Sequence, residues 1–377
     1  MRILIANLVI ALLAAGLPGC STNANIPKAE IAQEPCGRDC LEGLAGQYLQ
    51  SLAAQDPSRL PITDDFQLVE NNQPLKPGEG IWRTVNGLGA YRHYFPDLQT
   101  GSVAAITVVK ENGTLAILDL LLETENRRIR KAEVMIIRDP GGAARYEKLG
   151  EPLPIFRQTV PLENRTSRAD MIAAANKYFS GMENNEPKGD YSFFADDCNR
   201  LEHALQTTNM PKQTYGHSDD SDFVTLTCKA QFETGFLGFV TRIRDRRFVA
   251  VDEERQALFA FTNLDHHGAI RSINMSNGKV FKVPSYFSTS RTLQVGEAFQ
   301  IDKGKIRQIE MTLTEIPYGS RPGWPAADYN PATPPPAGPQ PLAAGAGPCD
   351  RKCLGGLADQ LLTAMVAHDA SRAPLSP

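Results

Sequence analysis

Residues 36–62 read CGRDCLEGLAGQYLQSLAAQDPSRLPI, and residues 349–375 read CDRKCLGGLADQLLTAMVAHDASRAPL. About half the positions agree without a gap, which chance does not produce over such a stretch. Large apolar residues fall at helical spacing in both copies: Leu41, Leu44, Tyr48 and Leu52 in one, Leu354, Leu357, Leu361 and Met365 in the other. Asp-x-Ser-Arg and then Pro close each copy. Each segment is therefore read as an amphipathic helix that opens a folding unit.

A weaker repeat extends outward from the first copy. Residues 95–106 match 250–261 in pattern with Asp97 aligned on Asp252, and 128–136 match 305–313 with Ile, Arg and Glu at the same offsets. Leu68-Val69-Glu70-Asn71 likewise matches Arg200-Leu201-Glu202-His203. Three anchors in one order predict that 36–160 and 166–318 are two versions of one fold, and a chain of 377 residues is long enough for two cores. In the second version the periodicity predicts a helix over 168–184 capped by Ser167, a short strand near 199–204 and a helix over 222–234. Strands follow near 239–251, 257–266, 293–301 and 305–316, the last two joined by a hairpin at Lys303-Gly304. The expected class is α+β: tandem cone-shaped units, each with N-terminal helices packed on a curved antiparallel sheet. In the last strand Ile309, Met311 and Leu313 share one face while Gln308, Glu310 and Thr312 share the other, which predicts a sheet that is apolar only toward its core. Residues 321–348 are rich in Pro, Ala and Gly and read as a linker; 349–377 read as the start of a third, truncated unit.

The first residues carry a cation at Arg2, an apolar run from Ile3 to Ala15 and Leu17-Pro18-Gly19-Cys20. The run is too short to span a bilayer and suits a secretory signal. Leu-x-Gly-Cys resembles the bacterial lipobox, which implies a lipoprotein signal peptide over 1–20, acylation of Cys20 and a membrane partner through that lipid. Ser21 resembles the residue after the cysteine in lipoproteins sent to an outer membrane, so the expected location is the cell envelope, with plain secretion as the alternative. Setting Cys20 aside, the remaining six of seven cysteines are an even number, as an oxidising compartment favours. Cys198 with Cys228, Cys36 with Cys40 and Cys349 with Cys353 are the expected disulfides; each C-x-x-x-C pair lacks the further ligands of a zinc site, and no metal is expected. The net charge of −4 comes from interspersed residues and excludes a nucleic-acid partner on electrostatic grounds.

Helices followed by a bent sheet that ends in Gly304-Lys305-Ile306 and Ile309-Glu310 resemble the superfamily of nuclear transport factor 2, ketosteroid isomerase and scytalone dehydratase. The C-x-R-x-C-L opening (Cys36 to Leu41), Glu70-Asn71 and Gly78-x-Gly80-Ile81-Trp82-Arg83-Thr84 resemble an uncharacterised domain family of secreted fungal and bacterial proteins. The wider resemblance implies polar side chains gathered inside a cone, although no catalytic motif matches residue by residue.

His203, beside Leu201 on a strand, reads as a proton-transfer group inside the second cone or as a core histidine holding one hydrogen bond. Asp265-His266-His267-Gly268 combines a carboxylate with imidazoles and suits acid/base work; the first copy has Glu111-Asn112-Gly113 there, a turn, so a loop is the alternative. His203, Asp265 and His266 are thus the candidate catalytic residues. Arg242, Arg244 and Arg246 alternate along a strand, either as an anion-holding stripe or as a solvated face offset by Asp252 and Glu254. Asp219-Asp220-Ser221-Asp222 reads as an acid-rich helix start, and Trp82 and Tyr91 read as packing residues or pocket walls. No P-loop, dinucleotide fingerprint or Gly-x-Ser-x-Gly occurs, and no cofactor is expected. Two classes of function fit: a ligand-binding or scaffolding module of the envelope, or a cofactor-free lyase, isomerase or hydrolase with an acid/base pocket in the second unit. The sequence does not decide whether the chain is an enzyme.

Overall fold

The computed structural model describes residues 36–211, 223–324 and 349–375. The expected signal peptide with Cys20, the Asp219–Asp222 cluster and the linker from 325 onward lie outside these residues. The first unit runs α1 (Arg38–Ala53), β1 (Ile62–Glu70), β2 (Gln73–Leu75), β3 (Val85–Asp97), β4 (Ser102–Glu111), β5 (Thr114–Glu125), β6 (Arg128–Ile137), α2 (Pro140–Leu149) and α3 (Pro154–Arg157). The second runs α4 (Arg168–Glu183), β7 (Phe194–Glu202), β8 (Leu205–Gln206), α5 (Cys228–Glu233), β9 (Arg242–Asp252), β10 (Ala257–His266), β11 (Ser272–Asn274), β12 (Val280–Lys282), β13 (Arg291–Asp302) and β14 (Lys305–Ile316). A last helix, α6 (Arg351–Val366), follows. The protein is α+β, built from two repeated units.

Each unit has a six-stranded sheet, in the order β2-β1-β6-β5-β4-β3 and β8-β7-β14-β13-β10-β9. The order is the same in both, yet neither sheet is wholly antiparallel as expected: β1 runs parallel to β6, and β7 parallel to β14. The expected helix over 222–234 is shorter, a 3-10 turn at Phe223–Thr225 and then α5 capped by Thr227. Ser167 caps α4 by accepting from the Asp170 amide. The disulfides are Cys36–Cys40, Cys198–Cys228 and Cys349–Cys353.

One face of each sheet receives its helix. Leu41, Leu44, Tyr48 and Leu52 of α1 are buried there, as are Met171, Ala175, Tyr178 and Phe179 of α4, each large side chain contributing roughly 1.5–3 kcal/mol by leaving water. The corresponding stripe of α6 is bare, with Leu354 58% and Met365 63% exposed where Leu41 and Leu52 are at 0%.

The opposite faces of the two sheets pack on each other through Tyr91, Phe95, Ile106, Phe259, Phe261 and Ala298. This corrects the expectation of a solvated outer face, because Gln308, Glu310 and Thr312 are buried there too. Polar residues on that face meet acids and bases of the other unit, and they do so in reciprocal couples. Arg168, which opens α4, grips Asp97 (2.9 Å), while Arg38, which opens α1, grips Asp252 (2.8 Å). Arg247 is bidentate on Glu133 (2.5 and 2.6 Å), and His93 pairs with Glu310 (3.0 Å). Asp119 and Gly296 hold equivalent register positions on β5 and β13 and face each other. A Cβ at Gly296 would collide with the Asp119 carboxylate and the ring of Phe259, both buried, so only glycine fits. The two units form a dimer within one chain, with an approximate twofold relation.

Candidate functional site

The three candidate residues do not come together. His203 lies in the β7–β8 turn at a φ of 45°, rather than on a strand inside the cone. Its Nε2 accepts from the Leu313 amide (3.0 Å), which leaves Nδ1 to donate to Asp139 of the first unit (2.7 Å). Asn71, its counterpart at a φ of 44°, does the same work by accepting from the Ile136 amide (2.9 Å). Both ring nitrogens of His203 are committed to holding the end of the sheet.

Asp265 and His266 are neighbours on β10 and so point to opposite faces. Asp265 is 1% exposed and accepts from Arg242 (2.6 Å), Arg244 (2.9 Å) and Thr292 (2.6 Å). Burial works to raise its pKa, but the bonds from Arg244, Thr292 and Arg242 outweigh that and hold it below the usual range. It is an ion-pair anchor rather than a base. His266 donates Nδ1 to the Phe239 carbonyl (3.1 Å) and packs on Phe239 and Phe287. Burial, opposed by that carbonyl, pushes it down to about 4. The basic stripe is also broken up: β9 has a positive φ at Asp245, Arg242 and Arg244 share Asp265, and Arg246 turns to Glu183 (2.6 Å). Asp252 and Glu254, expected to offset it, bind Arg38 instead. Trp82 packs edge-on against Tyr48 in the first core, and Tyr91 packs on Tyr146 between the units.

A different polar group sits where the second cone is otherwise apolar. Glu297 projects from β13 on the same face as Val295 and Phe299 and is 1% exposed. Tyr178 of α4 donates its hydroxyl to Glu297 Oε1 (2.8 Å). Arg200 of β7 stands beside them, reaching Glu202 (3.3 Å) and Thr207 (3.3 Å), with 18% of its side chain exposed. Burial pushes Glu297 up to about 7, opposed by the nearby Arg200 charge and the Tyr178 hydroxyl. Burial works to lower Arg200, but Tyr178, Glu202 and Glu297 outweigh it and leave its pKa raised. Rings of Phe194, Phe232 and Phe299 surround Tyr178 at 5.3–6.0 Å between centroids. A carboxyl poised near neutrality, a hydroxyl donor and a guanidinium can together take up or deliver a proton in a site from which water is largely excluded.

Sequence reasoning missed this cluster, although the repeat held the signal. By register the counterparts of Tyr178, Glu297 and Arg200 in the first unit are Tyr48, Leu120 and Leu68. Two apolar positions of one copy are charged in the other.

The profile of a family described as "Domain of unknown function (DUF8021)" matches residues 164–313, the second unit. No curated protein matches the chain. Among solved structures, the chain is similar to a de novo designed protein with a curved β-sheet (16% identity, 30% of this chain and 96% of that one, TM-score 0.23). It is also similar to a protein from Sphaerobacter thermophilus (17% identity, 26% and 94%, TM-score 0.22) and to an NTF2-like protein from Anabaena variabilis (11% identity, 40% and 93%, TM-score 0.22). At that level these likenesses carry no functional information.

Proposed function

We propose that the chain is an exported envelope protein, anchored through Cys20, whose second unit binds a small and mostly apolar ligand against Glu297, Tyr178 and Arg200 while the first unit serves as scaffold. The observation that carries this reading is a buried carboxyl and hydroxyl with a half-buried guanidinium beside them, placed in one unit where the twin unit is apolar. Nothing in packing alone requires such a cluster, and burying it costs stability. The disulfides fit folding in an oxidising compartment. Among the described residues no helix is long and apolar enough to cross a membrane.

The pKa of Glu297, near 7, favours a second reading in which the same site performs proton transfer. One probe tests both. The ring of 5-nitrobenzisoxazole opens when a base removes its C3 proton: the C–H electrons form the nitrile, the N–O bond breaks and a phenolate leaves. Saturation of the rate would report binding, and a rate that rises through a pH of about 7 and is lost in Glu297→Gln would report the base. Saturation kept in Glu297→Gln, with no rate assignable to the carboxyl, would leave the binding module alone. No saturation and no dependence on Glu297 would sink both readings.

A further inference from the structure

A second site lies outside the cone, in the valley between the units. An open groove of ≈ 1520 Å³ is walled by the β4–β6 side of the first sheet, by the outer face of α4 and by β9, with Trp324 in its lining. Ligand pockets for single small molecules run roughly 300–1,000 Å³, so a groove this long and open suits an extended chain. Its walls are fixed, because the Arg168–Asp97 and Arg247–Glu133 pairs tie the units together beside it.

The charges define what it takes. Five cations line the groove, and each already has an acid: Lys131 with Glu123 (3.0 Å), Arg130 with Asp65 (3.3 Å), Arg244 with Asp245 (2.5 Å), and Arg246 and Arg247 with Glu183 and Glu133 at the wall. An ionic ligand would have to break these pairs, whereas a neutral hydroxylated ligand can bond to their outward lone pairs and N–H groups without separating them. Apolar surface is present as well. The half-buried Trp324 is fixed by donating Nε1–H to Glu133 (2.9 Å), and half-buried Phe248 and Ile172 lie in the same groove. Rings beside paired charges suit a ligand with both C–H faces and hydroxyl edges. An added peptide strand fits less well: β9 is an edge strand, but its Ile243 and Val251 amides donate to Glu183 and Asp97, its Val249 carbonyl accepts from Ser102, and positive φ at Asp245 and register shifts interrupt it.

We propose that the inter-unit groove binds a neutral oligosaccharide chain, with Trp324 as its aromatic platform. The chain has two tryptophans, and the other, Trp82, is buried in the first core. In a Trp82→Phe chain the indole emission therefore reports the groove. The probes are cellotetraose, maltotetraose and tetra-N-acetylchitotetraose, titrated by emission and, on the unsubstituted chain, by calorimetry, so that failure of the Trp82 variant to fold does not stop the test. Saturable binding of at least one tetrasaccharide is expected, unchanged by added salt and weakened about tenfold or more by Trp324→Ala. The proposal is overturned if none of the three binds by calorimetry, if Trp324→Ala binds as well as the parent, or if only an anionic control, tetragalacturonate, binds and added salt abolishes it.

Discussion

The two units place the same tyrosine on the same turn of the opening helix and surround it with opposite chemistry. Tyr48 meets the edge of Trp82 in an interior where Leu68, Leu118, Leu120 and Leu122 are buried. Tyr178 meets Glu297, with Arg200 beside it. The backbone is shared, so the fold does not demand the charges, and the first unit shows what the same frame looks like when filled for stability alone. Duplication within one chain supplies its own control.

Exchanging the two interiors would break the comparison most sharply. Leu120→Glu puts a carboxyl into the first core with no guanidinium at the Leu68 position, and is expected to cost about 3–5 kcal/mol in urea unfolding. Glu297→Leu combined with Arg200→Leu, which restores the apolar pair of the first unit, is expected to leave stability unchanged or raise it while abolishing any Glu297-dependent rate. Equal losses in both would mean that Glu297 is structural. The carboxyl also leaves a pH signature. Its folded pKa is raised to about 7 from 4.5, so the protonated form is favoured on folding, and its contribution is fully present below about 4.5 and lost as pH rises through about 7. Asp119, raised to about 8 by burial with Thr312 opposing, slopes in the same direction. The difference between parent and Glu297→Gln isolates the Glu297 share.

The disulfides give the next largest effect. Cys198–Cys228 closes a sequence separation of 30 and has no counterpart in the first unit, whereas Cys36–Cys40 spans 4. Loop closure predicts a loss of roughly 3–4 kcal/mol for the double serine variant at 198 and 228, and roughly 2 kcal/mol at 36 and 40. Chemical denaturation of both variants checks the order.

The smallest effect sharpens the correction at His203. Asn71 does equivalent work, so His203→Asn should keep the bond from the Leu313 amide, lose only the Asp139 contact and cost under about 1 kcal/mol. A larger loss, or a changed pH profile of 5-nitrobenzisoxazole turnover with unchanged stability, would return His203 to the chemistry.

The strands of the second unit were legible because alternation, the Lys303-Gly304 turn and the repeat pointed the same way, and β10 and β14 run over the predicted ranges. The partner of each sheet was not legible. Gln308, Glu310 and Thr312 read as a solvated face because alternation reports polarity, and a polar face buried against another unit carries the same letters as one in water. His203 and Asp265 were chosen by residue type, which marks ion-pair anchors as readily as catalysts. Glu297 was hidden as one polar letter among several in β13, which also carries Arg291, Gln294 and Gln300, and only comparison with Leu120 makes it stand out.

The reciprocal grip of Arg38 on Asp252 and Arg168 on Asp97 has a consequence for the order of folding. The acid that receives Arg38 lies 214 residues further along the chain, and the outer face of the first sheet, with Tyr91, Phe95 and Ile106, has no cover until β9, β10 and β13 exist. The first unit therefore leaves the ribosome half finished, with an apolar sheet face open to solvent and Arg38 still without the acids of the second unit. It has to wait for its twin, and a chain halted before the second sheet is complete is the form that chaperones must hold and proteases will find.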